Sequence, residues 1–221
     1  MRFNNLLNRL KTSRIYGIIA MAVLIIAIII ALSFYQLLRV STPMEVFDQY
    51  LSHLQAQDYG SAAKLIHATE RDEWLDSFYQ VSTDTSPENL LKTNNIKYSD
   101  VELVSQATVS DEENIIHLLI FSPNTDAIFQ SIQADISNGI IDLSDPEIVR
   151  IGENRRNVII YYAADNVADY EDMQSNANLA VHFRKEQTII GDKWYVIPTE
   201  ELHQILTGNV DQALDNNLAS E

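Results

Sequence analysis

The segment IYGIIAMAVLIIAIIIALSFYQLL, from Ile15 to Leu38, runs 24 residues without a charged side chain. As a helix rising roughly 1.5 Å per residue, it is long enough to cross a hydrocarbon core of about 30 Å. A transmembrane helix is therefore expected over 15–38. A cleavable secretory signal has a shorter apolar core, roughly 7–15 residues, and a small-residue cleavage site. Here the core is longer and its exit, SFYQLLRV, is bulky, so the segment reads as an uncleaved anchor in the lipid bilayer. The chain has no cysteine, which excludes a lipid attached through that residue and any disulfide framework.

Charge sets the expected orientation. Arg2, Arg9, Lys11 and Arg14 precede the anchor and only Arg39 stands just beyond it, so residues 1–14 form a short basic cytoplasmic end and the remainder is extracytoplasmic. Beyond residue 40 there are ten basic and 31 acidic residues, a formal charge of −21 against −16 for the whole chain. Such a surface repels phosphate backbones, which argues against nucleic acid as a partner. With 46% hydrophobic residues, the 221-residue chain holds ample material for a packed core, so a folded domain is expected after the anchor.

That domain opens with STPMEVFDQYLSHLQAQDYGSAAKLI. Thr42 and Glu45 have the spacing of a capping box and Pro43 occupies the first helical position, so a helix starts there. Val46, Phe47, Tyr50, Leu51 and Leu54 form its apolar stripe. Asp58 is placed to cap a second short helix carrying Ala62, Ala63, Leu65 and Ile66. Thr69 with Asp72 suggests a third, burying Trp74, Leu75 and Phe78. From Ile96 the period changes to two: Val101, Leu103, Ala107 and Val109 alternate with polar residues, as in a half-buried strand. IIHLLIF (115–121), NVIIYYA (157–163) and ANLAVHFRKEQTII (177–190) read as further strands, and GDKWYVIP as the second half of a hairpin turning through Gly191-Asp192. TEELHQIL (199–206) reads as a closing helix, and 207–221 as a frayed polar tail. The expected fold class is α+β, helices first and an antiparallel meander after.

The opening stretch, with Thr-Pro, an acidic helix, Asp-Tyr and a small-small-x-Leu helix, resembles the start of nuclear-transport-factor-2-like (cystatin-like cone) domains of exported bacterial proteins. GDKWYVIP is similar to their closing strand. The resemblance covers about 42–80 and 177–198, the two ends of the domain. It implies a helical hairpin packed on a curved antiparallel sheet over 42–206, enclosing a cone. The middle departs from that pattern: 122–155 reads as an insertion or elaborated crossover. There Ile128, Phe129, Ile132 and Ile136 lie on one face of a helix that stops near Gly139, either as core or as a partner-binding surface.

No catalytic set emerges. The five histidines lack zinc-motif spacing, the acidic run at 165–172 lacks a calcium loop's glycine and final glutamate, and no phosphate loop, serine elbow or cysteine nucleophile is present. No metal and no cofactor is expected. By the resemblance, enzymes of this fold such as ketosteroid isomerases place an acid or base and a tyrosine inside the cone, which makes Tyr50, His117 and Tyr161 candidate pocket residues. His117 in an apolar strand is more commonly a core or edge residue. His182 should face away from the core, and of Trp194 and Tyr195, on opposite faces, only one can fill the cone.

The favoured expectation is a non-enzymatic, single-pass cell-membrane protein. Its extracytoplasmic domain would bind an envelope protein or a second copy of itself, as a scaffold or accessory subunit of a cell-envelope assembly. One alternative is a conjugation or type IV secretion channel subunit. Another is a small-ligand binder or isomerase-like enzyme using the cone. The first two expect a cone plugged by side chains; the last expects an open apolar pocket with convergent polar groups.

Overall fold

The computed structural model describes residues 21, 24–28, 41–83, 86–142, 154–170, 172–188 and 191–218 of the chain, with side chains of 76–83 excepted. The chain divides into two units, Met1–Val40 with Gln187–Asp192, and Ser41–Glu186 with Lys193–Glu221. In the first, residues 21 and 24–28 are helical and exposed. Most of the expected anchor, Ile15 to Leu38, lies outside the described residues; among these, no helix is long and apolar enough to cross a membrane.

The second unit begins with α1 (Pro43–Gln55). Its capping box forms: Thr42 N donates to Glu45 Oε2 at 3.0 Å and Glu45 N to Thr42 Oγ1 at 3.2 Å. Val46, Phe47, Tyr50, Leu51 and Leu54 are all buried. Asp58 caps the one-turn helix α2 (Tyr59–Ala63) through Ser61 N at 3.0 Å. Next comes α3 (Ala68–Thr83), which starts one residue before Thr69, so Thr69 and Asp72 lie inside the helix rather than at its cap. Trp74 is buried and Leu75 packs beside it, while the side chain of Phe78 is outside the described set. A fourth helix, α4 (Pro87–Lys97), was not expected. Ser86 caps it, Pro87 sits at its first position, and Ile96, expected to open the sheet, belongs to its last turn.

Four strands follow in a sheet of order β1-β2-β3-β4: β1 (Asp100–Thr108), β2 (Glu113–Pro123), β3 (Gln174–Thr188) and β4 (Gly191–Ile197). The antiparallel register places Ile116 opposite Val181 and Leu118 opposite Leu179. With Ile120 and Phe183, these side chains cover one sheet face, and α1, α2 and the start of α3 pack there to form the first core. Full burial of side chains of this size stabilises by about 1.5–3 kcal/mol each. Leu65 and Val196 bond backbone to backbone at 2.8 Å, fixing the chain after α2 along β4. Gly191 and Asp192 are the first residues of β4 rather than the hairpin turn itself.

Between β2 and β3 the chain forms α5 (Thr125–Ser137), α6 (Arg155–Asp165) and a 3-10 turn (Val167–Tyr170). After β4 come α7 (Glu200–Leu206) and α8 (Val210–Leu218). Two expectations fail here. Residues 157–163 are helix, not strand: Asn154 caps α6 through Asn157 N at 2.8 Å, and Val158, Ile159 and Ala163 fit one helical face as well as they fit a strand. Residues 210–218 of the tail are not frayed, because Val210, Ala213, Leu214 and Leu218 recur at helical spacing and are buried. Together α4, α5, α6 and α8 enclose a second core built around Leu91, Phe129, Ile132, Ile159, Ile160 and Leu214. The described segment between β2 and β3 carries α5, α6 and the 3-10 turn.

A buried polar joint lies where the two cores meet. The Asn95 amide of α4 donates to Thr125 Oγ1 at the start of α5 and to the Thr207 carbonyl after α7, each at 2.9 Å. Ser99 Oγ donates to the carbonyls of Asn95 and Leu206 and so ties the end of α4 to α7.

Candidate functional site

A cleft of about 520 Å³ opens between α1, α3 and the α7–α8 region. Its apolar wall is Tyr50 and Trp74, whose indole Nε1 donates to the Tyr50 hydroxyl at 3.0 Å. These two rings meet at a tilt of 54° with centroids 6.0 Å apart, within the distance range of aromatic pairs. Burial pushes the Tyr50 hydroxyl far above the ordinary tyrosine range, and the Trp74 hydrogen bond only partly opposes this. Tyr50 therefore stays protonated and does not supply a base.

The rim is acidic: Glu70 and Glu73 of α3, Glu200 of α7 and Asp211 of α8. Lys92 of α4 neutralises Asp211 at 2.7 Å. His203, on the same rim, is held below its ordinary value by burial and then by Lys92, so at neutral pH its ring is uncharged. Among the described residues, no three His, Cys, Asp or Glu are gathered closely enough to hold a metal ion. The wall is thus an aromatic floor with a carboxylate rim, an environment suited to positive rather than negative groups.

Behind Glu70 lies a chain of short hydrogen bonds. Glu186 Oε1 of β3 is 2.8 Å from His67 Nε2, His67 Nδ1 is 2.7 Å from Thr69 Oγ1, and Thr69 Oγ1 donates to Glu70 Oε1 at 2.8 Å. His67 is buried at 5% exposure, with the Tyr195 ring edge-on at 6.3 Å. A hydroxyl, an imidazole and a carboxylate in series have the outline of an activated nucleophile. The fourth member changes that meaning, because a Thr69 proton directed at Glu70 is not directed at His67.

The residues singled out from sequence do not converge. Tyr50 is in the first core and on the cleft wall. His117 is exposed on the opposite sheet face, which its position between the inward Ile116 and Leu118 dictates, and His182 is exposed on that same side. Tyr161 sits on α6 and is half-buried. They form no common pocket. Ile128, Phe129 and Ile132 are fully buried in the second core, with Ile136 packed against it, so this stripe is core and not a docking face. Trp194 packs against the first core, whereas Tyr195 meets His67.

The His67 set escaped sequence reading because its ends, Glu70 and Glu186, come from different parts of the chain. Its one local sign was a His-x-Thr just before a helix, where a side-chain nitrogen can accept from a first-turn amide; Thr69 N lies 3.4 Å from His67 Nδ1. No protein-family model, curated protein or solved structure matches the chain.

Proposed function

We propose that this is a membrane-anchored protein that works by contact, its folded part capturing a protein partner as an accessory subunit of a cell-envelope assembly. In this reading the 15–38 segment is the anchor, and the α1–α2 hairpin with the sheet forms the cone of a nuclear-transport-factor-2-like domain. The observation that carries the proposal is the filled interior. Phe47, Tyr50, Leu54, Ile66, Ile116, Leu118, Ile120 and Phe183 are buried in one cluster between the helices and the sheet. A binder or isomerase working inside the cone needs an open apolar chamber with convergent polar groups. Tyr50, His117 and Tyr161 stand in three separate environments, and Tyr50 is locked as a neutral phenol.

Contact surfaces are then sought on exposed positions, among them Gln130 of α5, Ile140 just beyond it and Val104 of β1. Photo-crosslinking amino acids placed at these positions of the full chain in living cells are expected to give a discrete protein adduct from at least one. A charge-reversing neighbour substitution should abolish that adduct without unfolding the domain. The proposal is sunk if no position gives an adduct, or if folded His117→Ala or Tyr161→Phe chains reproduce the loss-of-gene phenotype.

A further inference from the structure

We propose that strand β1 is a docking edge, to which a basic, extended segment of the partner protein adds as a fifth strand of the sheet. This rests on the contact function proposed above and names the surface and the chemistry of that contact. The fold treats the two edges of its sheet differently. Along β4 the chain following α2 closes the edge at Val196, whose N donates to the Leu65 carbonyl at 2.8 Å and whose carbonyl accepts from His67 N at 3.0 Å. Along β1, among the described residues, no chain pairs with the outer side. Alternate N–H and C=O groups of that strand therefore point to solvent, a template for a further strand.

Exposed edges are ordinarily blunted by short length, by Lys or Pro, or by a bulge. Strand β1 is nine residues long, and DVELVSQAT holds neither Lys nor Pro. It does carry a bulge, where the register against β2 slips between Leu103 and Ser105. Before the slip, Val101 N donates to Asp100 Oδ1 at 2.8 Å, so a main-chain donor is already engaged there. After it, Ser105, Gln106, Ala107 and Thr108 run opposite His117, Ile116, Ile115 and Asn114 without interruption, and all four are exposed. Val104 and Val109, exposed at either end of this run, offer apolar contact to the side chains of an incoming strand. The docking segment is therefore Ser105–Thr108.

Charge identifies the occupant. Asp100 and Glu102 stand to one side of that segment and Asp111, Glu112 and Glu113 to the other, and no Lys or Arg occurs from residue 98 to residue 149. Arg184, 3.6 Å from Glu113, offsets one of these carboxylates. An incoming strand flanked by Lys or Arg meets opposite charge at both ends, which steers it and sets its register. A second copy of this chain fits poorly. Two-fold antiparallel pairing of Ser105–Thr108 with itself runs Glu102 toward the copy's Asp111 and Asp100 toward the copy's Glu113, and facing like charges destabilise a strand pair.

The probe is the peptide Lys-Thr-Val-Thr-Val-Thr-Lys, titrated into the full chain in nonionic detergent, with amide hydrogen exchange read by mass spectrometry. At about ten times its dissociation constant, exchange over Ser105–Thr108 is expected to slow about tenfold. A fully N-methylated form of the peptide keeps the charge and loses the main-chain donors, and Glu-Thr-Val-Thr-Val-Thr-Glu keeps the donors and reverses the charge. Both are expected to leave that segment unchanged. No slowing over Ser105–Thr108 with the basic peptide, or equal slowing with either control, overturns the proposal. Slowing that grows with the chain's own concentration in the absence of peptide assigns the edge to a second copy and likewise overturns it. In cells, photo-crosslinkers at Val104 and Ala107 are expected to capture the partner. Adducts from Gln130 or Ile140 with none from β1 overturn this inference and leave the contact function standing, whereas no adduct from any position ends both.

Discussion

Gly208→Ala strikes the joint between the two cores, and its cost can be worked from the structure. Gly208 has φ +70°, in the left-handed region, where a Cβ costs about 1–2 kcal/mol. The added Cβ would also lie 2.6 Å from Asn95 Nδ2, 2.6 Å from the Pro123 carbonyl and 2.9 Å from Thr125 Oγ1. Two of these, Asn95 Nδ2 and Thr125 Oγ1, are the donor and acceptor of one buried hydrogen bond, so relief means moving buried hydrogen-bond partners apart. Overpacking of this kind costs about 1–3 kcal/mol. The sum, about 2–5 kcal/mol, is a large part of the roughly 5–15 kcal/mol that ordinary domains possess. Gly139 provides the control: its φ is +71°, but a Cβ there meets nothing within 4 Å. Gly139→Ala should therefore show the backbone cost alone. Urea unfolding of the full chain in detergent, followed by tryptophan fluorescence, compares the two. Equal losses for Gly208→Ala and Gly139→Ala would refute the steric argument, and with it the placement of α7 and α8 against α4.

Leu214→Ala, in the helix where a frayed tail was expected, should cost about 2–5 kcal/mol in the same assay, and a change within error would mean that α8 does not dock. His203 gives a pH prediction. Its folded value is depressed below 6.5, so its contribution is complete above 6.5 and is lost as the pH falls from there through the folded value. His203→Gln should flatten the acid side of the stability curve over that window, and an unchanged slope would refute the assignment.

Local signals were legible where one residue could satisfy another three or four positions away. The Thr42–Glu45 box and the Asp58 cap both lie where the sequence places them. Ambiguity entered where two periods fitted the same residues. In NVIIYYA the β-branched and aromatic residues favour a strand. Packing of α6 in the second core, where Ala163 and Ala164 are buried, overrides that preference. In β1 the expected alternation fails because the register shifts between Leu103 and Ser105. The strand also lies at the sheet edge, so Leu103 and Val109 are exposed. The His67 series and the Asn95 joint were invisible for another reason. Their partners are far apart in sequence, Asn95 and Thr207 by 112 positions, and no periodicity encodes such a pairing.

Helix α4 belongs to both cores at once, Leu91 to the second and Ile96 to the first. Neither core can come apart without stripping one end of this helix, so the two do not behave as separately melting subdomains. The folded unit is a single cooperative block despite its two clusters, and local openings are confined to its margins, such as the exposed edge strand β1. A lesion in either core is therefore felt as a loss of the whole, and the backbone amides of α4 become accessible to solvent only when the entire unit unfolds.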